Sequence, residues 1–278
     1  MKKLLNKYIP LAYGAYFNVS ILFAKQKTVA KAFSLFCTVR NGKVLPNQKE
    51  YLDAAKNETD EVLGHTLQSY TWKGKKDTVL LLHGWESNTF RWRNLIAKLK
   101  EADYNVVAFD APAHGYSSGK ELNVPLYTEC TQYYIEKYRP QHIIAHSVGG
   151  MNALYSQYKY PDSSIKKIVT IGSPSELSEI MNQYKTTVKY NTRVERALED
   201  YFMNRFGFRT TEFSTSEFVK TNTKKGFVIH DVLDMVVPFK SSEKVHGNWK
   251  DSKLLKTKGL GHSMHQEEIN NAIIEFLK

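Results

Sequence analysis

His142-Ile143-Ile144-Ala145-His146-Ser147-Val148-Gly149-Gly150 decides how the rest of the chain is read. An apolar run ends at a single serine, two glycines follow at once, and a helix-compatible segment, Met151 to Tyr158, comes next. This order predicts a buried strand, a very tight turn with Ser147 at its apex above the sheet edge, and then a helix. Glycine at 149 has no Cβ and lets strand and helix approach closely. A serine in an ordinary strand-to-helix turn would give the same short pattern, so the remainder of the chain has to decide between the two.

Working outward, the same rhythm recurs. Thr78 to Leu82 and Asn105 to Phe109 are continuous apolar runs, as expected of strands buried on both faces. The first runs into His83-Gly84-Trp85 and the second into Asp110-Ala111-Pro112-Ala113-His114-Gly115. Phe90 to Lys100 and Leu126 to Tyr138 read as helices between them. Further strands are expected at Lys167 to Ile171, Gly226 to His230 and Lys253 to Thr257, with a closing helix from His265 to Lys278. Alternating strands and helices imply a mostly parallel sheet with helices on both faces. His65 to Trp72 alternates as a further strand, after a polar, helical-looking stretch from Asn47 to Glu61.

Two regions depart from the rhythm. Glu176 to Thr223 is helical in composition and aromatic, and reads as an inserted cap; most of its aromatics pack the cap itself, with Tyr184 and Phe202 as candidate pocket residues. The chain also begins with a basic stretch, Met1 to Lys7, followed by apolar residues from Tyr8 to Ala24. Tyr8, Leu11, Ala12, Ala15, Val19, Leu22 and Phe23 fall at helical spacing. Three readings stay open: a helix packed on the domain, an interfacial helix with lysines toward anionic lipid, or an export signal. Thr28 to Phe36 forms a second helix. The expected organisation is a basic helical extension over 1–61, a core over 62–175 and 224–278, and a helical cap over 176–223.

Charge sharpens this division. The net charge is +11, yet residues 1–49 hold nine Lys/Arg and no Asp or Glu. The basicity therefore belongs to the N-terminal segment, and no groove-reading or stacking motif accompanies it, which argues against nucleic-acid binding. A hydrophobic content of 42% and an aromatic content of 13% exclude a disordered chain. Cys37 and Cys130 have no metal or redox spacing and read as buried thiols.

A serine hydroxyl is a poor nucleophile at neutral pH; it needs a base, and the base needs an orienting group. In open α/β sheets such groups stand at the carboxyl ends of strands. Ser147 follows one strand, Asp234 lies just beyond a later one, and His262 follows the last.

The chain resembles the α/β-hydrolase-fold serine hydrolases over roughly residues 62–278. The matching pieces are His83-Gly84-Trp85, Asp110-x-x-x-His114-Gly115-x-Ser117, Ala145-x-Ser147-x-Gly149-Gly150, Asp234-x-x-Val237-Pro238 and Gly261-His262, in that order. The elbow departs from G-x-S-x-G at Ala145. The resemblance implies Ser147 as nucleophile, His262 as general base and acid, and Asp234 as its orienting acid. Asp231 competes for the last role, and the Asp-x-x-Val-Pro turn favours Asp234. It also implies an oxyanion hole from the backbone N–H groups of Trp85 and Val148, with Glu86 as a further pocket candidate. The expected chemistry is cleavage of a small-molecule carboxylic ester through an acyl-serine, without metal or cofactor. The alternatives are a membrane-surface lipase or acyltransferase, a thioesterase, and a non-catalytic binding protein on the same scaffold. The expected location is cytoplasmic, with peripheral membrane contact through residues 1–25 as the alternative; the oligomeric state is not readable.

Overall fold

A computed structural model describes the backbone of residues 2–278 and the side chains from Tyr8 onward. The side chains of the basic start, residues 1–7, lie outside the described residues. In chain order the elements are α1 (Lys2–Ser20), α2 (Lys25–Cys37), α3 (Pro46–Asp53), β1 (Lys56–Val62), β2 (His65–Trp72), β3 (Lys76–Leu82), α4 (Arg93–Glu101) and β4 (Tyr104–Phe109). They continue with α5 (Val124–Tyr138), β5 (His142–His146), α6 (Val148–Lys159), β6 (Lys167–Ile171), α7 (Leu177–Val188), α8 (Thr192–Phe206), α9 (Thr215–Phe218), β7 (Lys225–Asp231), α10 (Lys240–Asn248), β8 (Ser252–Thr257) and α11 (Glu267–Leu277). Two compact units result: residues 1–38 with 176–214, and residues 39–175 with 215–278.

The larger unit is built on an eight-stranded sheet of order β1-β2-β4-β3-β5-β6-β7-β8. The pairs β1/β2 and β2/β4 are antiparallel, and all the others are parallel. The central parallel strands β3, β5, β6 and β7 carry buried apolar runs because both of their faces are covered, whereas the edge strand β8 is half-exposed. On one face Leu80, Leu82, Ile143, Ala145, Ile168 and Val228 pack with Tyr127 and Tyr134 of α5 and with Trp249. On the other, Val79, Leu81, Ile144, Val169 and Ile229 pack with Leu95 and Ile96 of α4 and Ile269 and Ile273 of α11. The register runs straight across the centre: Leu82 faces Ala145, Ala145 faces Thr170, Thr170 faces Val228, and Val228 faces Leu254. The carboxyl ends of β3, β5, β6, β7 and β8 are therefore level, and the loops leaving them share one edge.

The stretch expected to be one polar helix to Glu61 is two elements. Its first half is α3, and Lys56–Val62 is the edge strand β1, joined to β2 through Leu63-Gly64, both at positive φ. The core therefore reaches back to Val39, short of the expected boundary at residue 62. Residues 215–223, expected in the cap, also belong to the sheet-containing unit.

The smaller unit is a four-helix assembly of α1, α2, α7 and α8. Phe33 of α2 packs against Tyr201, Phe202 and Phe206 of α8. A Cβ at Gly14 would stand 1.8 Å from the Val188 carbonyl oxygen, so only glycine lets α1 lie this close to the end of α7. Asn18 fixes the junction: its Nδ2 donates to Lys189 O at 3.2 Å and its Oδ1 accepts from Asn191 N at 2.7 Å. Residues up to 38 of the expected extension and residues 176–214 of the expected cap, read as separate parts, are thus one body. Among the described residues no helix is long and apolar enough to cross a membrane.

Candidate active site

Ser147 leaves β5 at φ 54° and ψ −125° and caps the start of α6. This left-handed conformation is costly for any residue with a side chain, and it lifts the hydroxyl above the sheet edge. Its N–H donates to Ile171 O at 2.8 Å, while its carbonyl accepts from Gly150 N at 2.9 Å. The turn closes only because α6 can approach β3: a Cβ at Gly149 would lie 2.5 Å from the carbonyl oxygens of Leu82 and His83. Ala145, fully buried in β5, faces Leu82 across the ladder without disturbing the turn.

The three residues expected to act together do meet. His262 Nε2 lies 3.0 Å from Ser147 Oγ, and its Nδ1 lies 2.7 Å from Asp234 Oδ2. A carboxylate only accepts, so Nδ1 carries the proton and Nε2 is free to accept from the serine. Burial alone would raise the Asp234 carboxyl. Bonds from His230, His262, Val237 N and Val236 N outweigh it and hold the group well below the usual carboxylate range, so it stays ionised.

Asp231 has a different task. Its Oδ2 accepts from Leu260 N at 2.8 Å and Thr257 Oγ1 at 2.9 Å, and its Oδ1 from Leu233 N at 2.9 Å. It ties the loop carrying Asp234 to the loop carrying His262. Asp110 is likewise structural: it accepts from Tyr70 Oη, Thr89 N and Tyr116 N. His146, next to Ser147, is engaged by a different group: its Nε2 donates to His262 O at 2.9 Å and its ring lies 4.8 Å from the His262 ring.

The loop after β3 stands against the elbow. A Cβ at Gly84 would fall 2.9 Å from Ser147 Cβ and from His146 Nδ1. Two buried histidines hold this loop. His83 donates from Nδ1 to Gly84 O at 2.8 Å and accepts at Nε2 from Ala111 N at 2.9 Å. His114 donates to Pro112 O and accepts from Glu86 N at 3.0 Å. Val148 is the first residue of α6, so its N–H is one of the helix-terminal donors that the helix itself leaves unsatisfied.

Three pocket expectations change. Glu86 Oε1 accepts from Arg40 N and Asn41 N, and Oε2 from Asn41 Nδ2, so its carboxylate anchors the 40–41 segment. Tyr184 donates its hydroxyl to Ala32 O at 2.8 Å. Phe202 is buried among Phe33, Phe206 and Phe208. The latter two are committed to the interior of the smaller unit, because aromatics at helical spacing fill a helix-bundle core first.

Two residues escaped the sequence reading. His230, fully buried on β7, has Nε2 3.0 Å from Val237 O and 3.2 Å from Asp234 Oδ2, with Nδ1 2.6 Å from Ser242 Oγ. A histidine four residues before the expected acid was the available signal. Arg91 donates to Ser263 O at 2.9 Å, beside His262, and nothing in its local sequence marks it.

Fold and site together define an α/β-hydrolase-fold protein: a mostly parallel eight-stranded sheet with serine, acid and histidine gathered in that order at its carboxyl edge. The family model described as alpha/beta hydrolase fold matches residues 77–199. Over 135 residues the chain is 30% identical to the pimeloyl-[acyl-carrier protein] methyl ester esterase of Hamiltonella defensa subsp. Acyrthosiphon pisum (strain 5AT). That match covers 48% of this chain and spans about half, 49%, of the relative. Among solved structures, bromoperoxidase from Bacillus anthracis superposes with a TM-score of 0.64 at 20% identity, over 80% of this chain and 99% of that one. Est1E from Butyrivibrio proteoclasticus, with ferulic acid bound, gives 0.64 at 18% identity, over 79% of this chain and 97% of that one. At such identities these likenesses speak for the fold.

Proposed function

We propose that this protein is a serine hydrolase that cleaves carboxylic esters through an acyl-serine intermediate. The observation that carries the reading is the unbroken relay from Ser147 Oγ to His262 Nε2 and from His262 Nδ1 to Asp234 Oδ2, at 3.0 and 2.7 Å. The half-length relative named as a methyl ester esterase supports the choice of ester over other acyl bonds.

In this reading, Ser147 Oγ attacks the acyl carbon while its proton passes to His262 Nε2. The imidazolium so formed is stabilised by the ionised Asp234. The oxyanion of the tetrahedral intermediate accepts hydrogen bonds from the N–H groups of Trp85 and Val148, and the N-terminal end of α6 adds its partial positive charge. Collapse expels the alkoxide, which takes the proton from His262 and leaves as an alcohol. Water then attacks the acyl-serine with His262 again as base, and the carboxylic acid leaves. Removing one oxyanion donor typically costs about 3 kcal/mol of transition-state stabilisation.

The test is hydrolysis of a p-nitrophenyl ester series of increasing acyl length by the wild type and Ser147→Ala. Turnover in the wild type that Ser147→Ala lacks supports the reading. No turnover across the series, or equal turnover by both proteins, counts against it. The series also identifies the preferred acyl length.

A further inference from the structure

We infer that the exposed face of α1 and the turn after it form a docking surface for an anionic phospholipid membrane. The inference concerns the smaller unit alone and is independent of the ester chemistry.

The inner face of α1 is occupied by Gly14 and Phe17, which are buried with Ile21 inside the unit. The outer face carries Tyr8, Ile9, Ala12, Ala15, Tyr16 and Val19, all exposed. At about 100° per residue these six fill roughly a third of the helix circumference, and no polar or charged side chain from Tyr8 onward falls within that arc. The apolar surface continues into the turn through Leu22 and Phe23, the latter 85% exposed. A folded chain rarely leaves so many large apolar side chains contiguous in water without an interaction to make.

Charge identifies the occupant. The adjoining Lys25, Lys27 and Lys31 are exposed, and Lys31 Nζ sits 4.7 Å over the Tyr16 ring at the border of the apolar arc. Lys25 also reaches Asp200, at 3.5 Å. Residues 1–38 contain six lysines and no acidic residue, whereas residues 176–214 contain six basic and six acidic residues, so the unit's net charge of +6 resides in its first two helices. An apolar strip bordered by exposed lysines, one of them paired with Asp200, matches a bilayer interface with anionic headgroups. A protein-binding patch would instead be depleted in lysine.

The experiment is flotation of the full chain with phosphatidylcholine vesicles, with and without about a third phosphatidylglycerol. Two variants accompany it: Leu22→Glu with Phe23→Glu, and Lys25→Glu with Lys27→Glu and Lys31→Glu. All five side chains are exposed, so an unchanged thermal midpoint serves as the folding control; should the Lys25 variant shift it, Lys27→Glu with Lys31→Glu replaces it. Expected are binding to the anionic vesicles, a loss of at least about tenfold in high salt or on neutral vesicles, and a similar loss in each variant. Failure of the wild type to float with anionic vesicles overturns the inference, as does binding that neither variant weakens. A concentration-dependent dimer, dissociated by Phe23→Glu in a protein that ignores vesicles, would assign the face to a second copy and overturn it equally.

Discussion

The backbone of Ser147 predicts an unusual mutational order. At φ 54° and ψ −125° the residue sits where glycine is at ease and a Cβ is not. Such strain costs about 1–3 kcal/mol. Ser147→Ala and Ser147→Gly both remove the hydroxyl and both lose the bond to His262, which contributes about 1 kcal/mol. Alanine keeps the strained Cβ. Glycine releases it, offset by the extra freedom of the unfolded chain, about 0.5–1 kcal/mol. The difference favours glycine by about 1 kcal/mol. For 278 residues, an unfolding entropy of about 2.1 cal/mol/K per residue converts this into a midpoint higher by about 2 °C. Matched urea titrations and scanning calorimetry of the two inactive variants read the difference directly. An alanine variant as stable as the glycine variant, or more so, would refute the claim that the elbow stores strain.

Three further outcomes follow from the site. His230→Gln should leave the fold intact yet lower kcat by about tenfold to a hundredfold with little change in KM, because Asp234 loses one of its positioning groups; unchanged kcat in steady-state assays would make the contact incidental. Gly84→Ala should have a comparable effect on kcat through displacement of Ser147, whose Cβ would be 2.9 Å from the new methyl group, and wild-type turnover would contradict that crowding. The third outcome is pH-dependent: burial pushes His83 down to about 4 and, with the neighbouring His83, pushes His114 down to about 3. His142 and His146 shift in the same direction. The unfolded chain takes up these protons near pH 6.5, before the folded protein does, so their contribution to stability is level above about pH 8 and falls as pH drops toward about 4. Above about pH 5.5, Asp234 is ionised in both states and does not contribute to this slope. His114→Gln should reduce the slope by about half a proton at pH 6.5, rising to about one near pH 5, measured by denaturant unfolding, and an unchanged slope would rule out the histidine's part in it.

The legible part of this chain was whatever a short window of sequence specifies. Strands buried on both faces are continuous apolar runs, so β3 to β7 stand out, β8 follows from the alternation, and residues just past the strand ends, Ser147, Asp234 and His262, can be placed on one edge from topology alone. The edge strand β1, Lys-Asn-Glu-Thr-Asp-Glu-Val, has neither signal; one of its sides meets only β2, most of its side chains face water, and its pairing is set by the turn at Leu63-Gly64. The union of residues 1–38 with 176–214 was also hidden, because it rests on contacts such as Phe33 with Phe202 and Asn18 with Asn191 between distant segments. For the same reason Tyr184 and Phe202 looked eligible for a pocket: helical spacing says that a side chain is buried, and not against what. The carboxylate of Glu86 reads as a pocket group because its partners, the backbone N–H groups of Arg40 and Asn41, leave no trace in side-chain chemistry.

The central claim is that Ser147 is an activated nucleophile, and labelling with a fluorophosphonate followed by peptide mass analysis tests it most directly. The account predicts a single adduct on Ser147, absent from Ser147→Ala and strongly slowed in His262→Ala. A wild-type protein that stays unlabelled, or an adduct that persists in Ser147→Ala, would contradict it.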